Sequence, residues 1–213
     1  MRSIIWVAVL AMLPPLAAQA AIGDAGLCAD AIREVEDGAS LPAGLLTAVA
    51  VSESGKYDAE RRRAAPWPWT VNSQGDGRYF ATAAEAIAHV DALRRSGRRN
   101  IDVGCMQINL MHHPDAFASL EEAFEPTRNV AYGARFLGQL RNETQSWTRA
   151  VERYHTADID RGRAYREKVY ERWQAVRPDR GQGLEPEPTA RVESASLTTA
   201  APPAVLRTVP DRR

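Results

Sequence analysis

Three short polar segments sit among apolar neighbours and carry side chains able to do chemistry: Ser52-Glu53-Ser54-Gly55, Asp102 to Asn109, and Ala150 to His155. Glu53 is the sharpest of them. Leu45, Val49 and Glu53 follow one another at i+4 along a helix-patterned stretch from Pro42 to Ser54, so the carboxyl lines up with a buried stripe. Burial and the negative end of a helix dipole both disfavour the charged form, as suits a carboxyl that donates a proton near neutral pH. The competing reading is a helix that frays at Ser52 and leaves Glu53 in water. In the second segment, Gln107 and Asn109 stand two apart in an extended stretch and project to one side. Such amides suit neutral ligands rich in hydroxyl and acetamido groups. Gly104 would let backbone approach a ligand closely, and Met106 offers an adaptable apolar wall. Taken singly, each has an ordinary alternative: a turn glycine, amides satisfying backbone groups, and a core tyrosine at Tyr154.

The elements that must position these groups are mostly helical. Asp24 to Asp37 carries Leu27, Ala31, Ile32 and Val35 at helical spacing. Pro42 to Ser54 starts with a first-turn proline and stops at Gly55. Thr82-Ala83-Ala84-Glu85 is a capping-box pattern opening a helix to Ser96, closed by Gly97. Pro126 to Leu140, Trp147 to Tyr154 and Ala164 to Val176 complete the set. Trp67 to Asn72 and Gly77 to Phe80 read as short strands around a Gly-rich turn. The fold class expected is mainly α, a helical domain with a small β element after its second helix.

The two ends of the chain differ from this middle. Residues 1–20 read as a signal peptide: Arg2 precedes an apolar run from Ile4 to Leu13, and Ala18-Gln19-Ala20 offers a cleavage site after Ala20. A membrane anchor would need about 20 apolar residues, and this run stops at Pro14-Pro15. Residues 178–213 recur in Pro with Ala, Thr, Ser, Arg and Glu, hold no aromatic residue, and read as a disordered Pro-rich tail. One domain, residues 21–177, lies between them. Export to the periplasm or medium makes the cysteines legible, because an oxidising compartment lets a Cys28–Cys105 bridge persist. The alternative is two buried free thiols. Two cysteines and four scattered histidines show no metal-ligand spacing, so no metal and no cofactor are expected. With 27 basic and 27 acidic residues, the chain lacks the basic surplus that nucleic acid calls for.

Together the segments resemble the soluble lytic transglycosylase domain, glycoside hydrolase family 23. Glu53-Ser54-Gly55 is similar to the family's helix ending in Glu-Ser-Gly. Gly104-Cys105-Met106-Gln107-Ile108-Asn109 is similar to its Gly-Leu-Met-Gln segment, with Cys for Leu. Asn129-Val130-Ala131-Tyr132-Gly133 resembles its Asn-x-x-x-Gly, and Arg153-Tyr154-His155 its Ala-Tyr-Asn, with His155 for Asn and Arg153 for a small residue. The likeness runs from about Cys28 to Val169 and implies a lysozyme-like α+β fold acting on peptidoglycan strands. It implies Glu53 as the sole general acid/base, Ser54 orienting substrate, and Met106, Gln107 and Asn109 lining the glycan groove. It implies Tyr154 as the hydrogen-bond partner that holds the Glu53 carboxyl. Small members of the family often serve a secretion, pilus or flagellar apparatus.

The resemblance implies a lyase that uses one Glu as acid and then as base to leave 1,6-anhydromuramic ends. The related goose-type lysozymes are hydrolases and place helper acids in the β region, where this chain has Asp58 and Asp76. Asp76 lies in Gln74-Gly75-Asp76-Gly77, a plain turn signal. A hydrolase of the same bond, a non-catalytic glycan-binding scaffold, and a protease built on Cys105 and His155 are the alternatives. The aromatic pair Trp67 and Trp69 would belong to the core by default, with stacking on sugar faces as the other use.

Overall fold

The computed structural model describes residues 16–38, 40–59 and 62–177. Most of the expected signal segment and all of the expected tail lie outside these residues. Helix α1 (Leu16–Gly38) begins before the expected cleavage point, which falls inside it. Helix α2 (Leu45–Ser54) starts three residues later than the proline signal implied. Pro42 and Ala43 form a turn that closes through the Leu45 N–H on the Pro42 carbonyl, and Gly44 at φ 76 makes the bend into the helix. Two strands follow at once, β1 (Gly55–Asp58) and β2 (Arg63–Pro66), paired antiparallel.

Next come β3 (Thr70–Ser73), β4 (Asp76–Tyr79), α3 (Ala83–Arg95), β5 (Asp102–Val103) and β6 (Ile108–Asn109). The four strands form one antiparallel sheet in the order β4-β3-β5-β6. The capping box expected for α3 is present: Thr82 Oγ1 accepts from the Glu85 N–H, and Glu85 accepts from the Ala81 N–H. The described residues end with α4 (Leu120–Phe124), α5 (Pro126–Thr144), α6 (Trp147–His155) and α7 (Ile159–Val176).

Two apolar clusters hold these elements. The larger joins α1, α2, α5, α6 and α7 around Leu45, Val49, Met106, Leu137, Tyr154 and Val169. The smaller packs the sheet residues Val71 and Val103 against Val90 of α3 and Phe124 of α4. Cys28 and Cys105 are bonded, and their bridge ties α1 to the β5–β6 turn. The fold is thus mainly helical with a small β element, as expected. No helix among the described residues is long and apolar enough to cross a membrane.

Candidate active site

Glu53 stands on the last turn of α2 and is half-buried, neither sealed in the core nor free in water. It opens onto a cleft of about 330 Å³ whose other walls come from the sheet and from the end of α6. Ser52 and Glu53 form one wall, Thr70, Asn72 and Asp102 the sheet side, Gly75, Gly77 and Tyr79 the hairpin side, and Gln107 and His155 the rest. Helix α7 supplies two anchors to the end of α2. The Tyr165 hydroxyl donates to Glu53 Oε1 at 2.7 Å, and the Lys168 ammonium donates to the Ser52 carbonyl at 3.0 Å. A cation on the last carbonyls of a helix offsets the negative dipole end that the sequence alone placed beside Glu53.

A hydroxyl on the acid is thus supplied by Tyr165, a residue other than the Tyr154 expected in that role. Tyr154 is buried and gives its single hydroxyl proton to the Met106 carbonyl at 3.0 Å. The reason is angular. Neighbouring residues on a helix point about 100° apart, so with Tyr154 turned into the core, His155 faces the cleft. Its imidazole stacks on the Tyr165 ring, centroids 4.5 Å apart and planes 8° apart. Tyr165 and Lys168, at i and i+3 on one face of α7, were missed. Their spacing marks a shared face but not the helix it meets.

Beneath the cleft, the β5–β6 turn is built around a buried amide. Asn129 on α5 accepts from the Met106 N–H at 2.8 Å and donates to the carbonyls of Val103 and Ala123. Gly104 has φ 81, and a Cβ there would meet the Asn129 amide at 2.3 Å. A Cβ on Gly133 would likewise stand 2.8 Å from Met106. The Asn-x-x-x-Gly pattern thus has a physical reading: the amide holds the turn, and the missing side chain four residues on makes room for Met106. Ser54 ties the same turn to α2 by donating to the Cys105 carbonyl at 2.7 Å.

All five residues expected to touch substrate are buried, and of them Gln107 lines this cleft, whereas Ser54, Met106, Asn109 and Tyr154 are not part of its lining. Gln107 and Asn109 do not share one side of an extended segment. Gln107 adopts φ 48 in the turn, and its amide donates to the Thr70 and Gly104 carbonyls. Asn109 belongs to a polar row running across the sheet, with Asn72 opposite Asp102 and Asp102 opposite Asn109. Asp102 accepts from Asn109 Nδ2 at 2.8 Å and from Asn72 Nδ2 at 3.3 Å. A second carboxylate, missed in the sequence, therefore lines the cleft.

Asp76 is exposed at the start of β4, just after the Gln74-Gly75 turn, and hydrogen bonding and charge from Arg78 hold its carboxyl below the usual carboxylate range. Trp67 is a core residue whose Nε1 donates to the Phe80 carbonyl at 2.7 Å, Trp69 packs partly buried against the smaller cluster, and the aromatic rings lining the cleft are those of Tyr79 and His155. The Tyr79 hydroxyl donates to the Gly55 carbonyl at 2.7 Å, next to the end of α2, and burial pushes its pKa up. With Cys105 in a disulfide, a Cys105/His155 protease has no thiol to use. No group of three or more His, Cys, Asp or Glu placed to hold a metal occurs among the described residues.

No match was found among curated proteins or among solved structures. The family described as the Transglycosylase SLT domain matches residues 30–173, a span that holds α2, the cleft and most of α7. The chain belongs to the Transglycosylase SLT domain family and is a peptidoglycan-acting domain of the lytic transglycosylase type.

Proposed function

We propose that Glu53 alone carries both proton transfers in a non-hydrolytic cleavage of the bond between N-acetylmuramic acid and N-acetylglucosamine. The observation that supports this is the half-buried Glu53 carboxyl at the cleft, oriented by the Tyr165 hydroxyl. The protonated acid gives its proton to the glycosidic oxygen as the bond from that oxygen to C1 of the muramic sugar breaks. The sugar's own acetamido group stabilises the oxocarbenium-like centre. The Glu53 carboxylate then takes the proton of the C6 hydroxyl, whose oxygen closes on C1 to leave a 1,6-anhydro end. The acid is regenerated and no water is consumed.

Hydrolysis of the same bond is the second reading, and Asp102 is the observation in its favour, since hydrolytic schemes use two carboxylates. Both Asp102 oxygens already accept amide hydrogens from the sheet, which supports a structural role. Mass spectrometry of digested peptidoglycan separates the two. Anhydro muropeptides are expected, and products one water heavier with reducing ends would replace this reading with the hydrolase. Glu53→Gln is expected to abolish lysis while strand binding persists. Lysis surviving that substitution would rule out the assigned acid, and equal lysis-free binding by wild type would leave a scaffold. The bridge between Cys28 and Cys105 supports the proposed export, because such bonds persist in oxidising compartments. A mature protein beginning at Ala21 on N-terminal sequencing would bear out the cleavage site.

A further inference from the structure

We propose that His155 is a positioning residue for the acid: its imidazole, stacked on Tyr165, holds the phenol where its hydroxyl stays on Glu53. The inference rests on Glu53 as acid and base, and deepens that reading. Tyr165 belongs to the larger apolar cluster, so its surroundings there are packed. The His155 ring lies flat against it, 8° from parallel, and blocks the swing about χ1 that would carry the phenol towards that side. The hydrogen bond to Glu53 Oε1 depends on that placement, because a swing about χ1 carries the hydroxyl out of reach, whereas rotation about the ring's own axis leaves its oxygen in place. An asparagine at this position has no ring with which to stack.

The consequence is chemical as well as mechanical. A donor held on a carboxylate favours its ionised form, so the fixity of Tyr165 sets how readily Glu53 gives up and retakes a proton. Other charged or titratable groups face this cluster. Lys168 of α7 sits on the Ser52 carbonyl, and Asp102 and Tyr79 line the cleft. Glu152 of α6 is ion-paired with Arg149 and Arg166. His155 itself adds charge when protonated, so stacking must be separated from charge by experiment.

The test follows the Glu53 carboxyl by carbon NMR titration of the full chain, alongside kcat and KM on purified glycan strands. His155→Ala and Tyr165→Phe are each expected to move the Glu53 midpoint up, by about 1 to 2 pH units for complete loss of the bond. The double variant is expected to move it no further than Tyr165→Phe alone, since both act through one hydrogen bond. His155→Phe, which stacks but carries no charge, is expected to restore the wild-type midpoint. In kinetics, His155→Ala is expected to lower kcat about tenfold with KM changed less than about twofold. An unmoved midpoint in His155→Ala overturns the proposal, as does a shift that His155→Phe fails to reverse. A raised KM with unchanged kcat also overturns it, and makes His155 a sugar contact instead. If wild type cuts no strands while the midpoints move as described, the transglycosylase reading fails and the positioning role stands.

Discussion

Removing the Cys28–Cys105 bridge tests how the domain is held around its cleft. The two residues are 77 apart in sequence. In the chain-entropy account, a cross-link closing a loop of that size withholds about 4.5 kcal/mol of freedom from the unfolded state at 25 °C. Both cysteines are fully buried, so Cys28→Ala/Cys105→Ala is the cleaner variant, avoiding a buried hydroxyl on either side. The expected loss is about 4 kcal/mol in urea unfolding, or a melting point lowered by about 8 to 16 °C for a domain of this size. Reduced wild type is expected to match the double variant. The turn that carries Cys105 is still held by Ser54 and Asn129. The folded variant, assayed well below its melting point, is therefore expected to keep most of its lytic rate. A loss under about 1 kcal/mol would refute the entropic reasoning, because it would mean the unfolded chain already keeps these residues close. Loss of lysis in a protein shown to be folded would refute the view that the bridge acts on stability alone.

Asn129→Ala is expected to cost about 3 to 5 kcal/mol in denaturant unfolding, because it leaves the Met106 N–H and the Val103 and Ala123 carbonyls without their partner. Glu36 accepts from the Leu46 N–H at 3.1 Å, with the Gly44 and Thr47 N–H groups beside it, at the start of α2. Burial raises its pKa against those hydrogen bonds, so its stabilising contribution is full below the unfolded value and is lost as pH rises through the folded one. Glu36→Gln is therefore expected to gain on wild type in unfolding measurements as pH goes from 4 to 8. Glu36→Ala is expected to lose about 1 to 2 kcal/mol of helix capping. Asp76→Asn is expected to leave the lytic rate and the product spectrum unchanged, since that carboxylate is an exposed partner of Arg78.

What the sequence conveyed about the site follows the range of the interactions involved. Helix starts set by a neighbouring side chain, such as Thr82 with Glu85, were readable because their partners lie within one turn. Glu53 and the cysteine pair were readable because residue type narrowed the choice. The partner of Glu53 was not, because Tyr165 is 112 residues away and periodicity names a face without naming its neighbour. The one-sided projection of Gln107 and Asn109 failed at a left-handed residue, which pattern alone does not reveal outside glycine. The β1–β2 hairpin was also unread. Its segments, Gly-Lys-Tyr-Asp and Arg-Ala-Ala-Pro, show no apolar alternation and are joined through the backbone.

The hold of α7 on the end of α2 also fixes an order of events during synthesis. A chain made from its N-terminus presents Glu53 long before residues 165 and 168 exist, and the donors to Glu53 and to the Ser52 carbonyl arrive only with them. Until α7 docks, the acid lacks the phenol that orients it and the ammonium behind it. A truncated or still-emerging chain therefore has the glutamate without its setting. The setting of the glutamate is completed by α7, the last helix among the described residues, after the elements before it have been made.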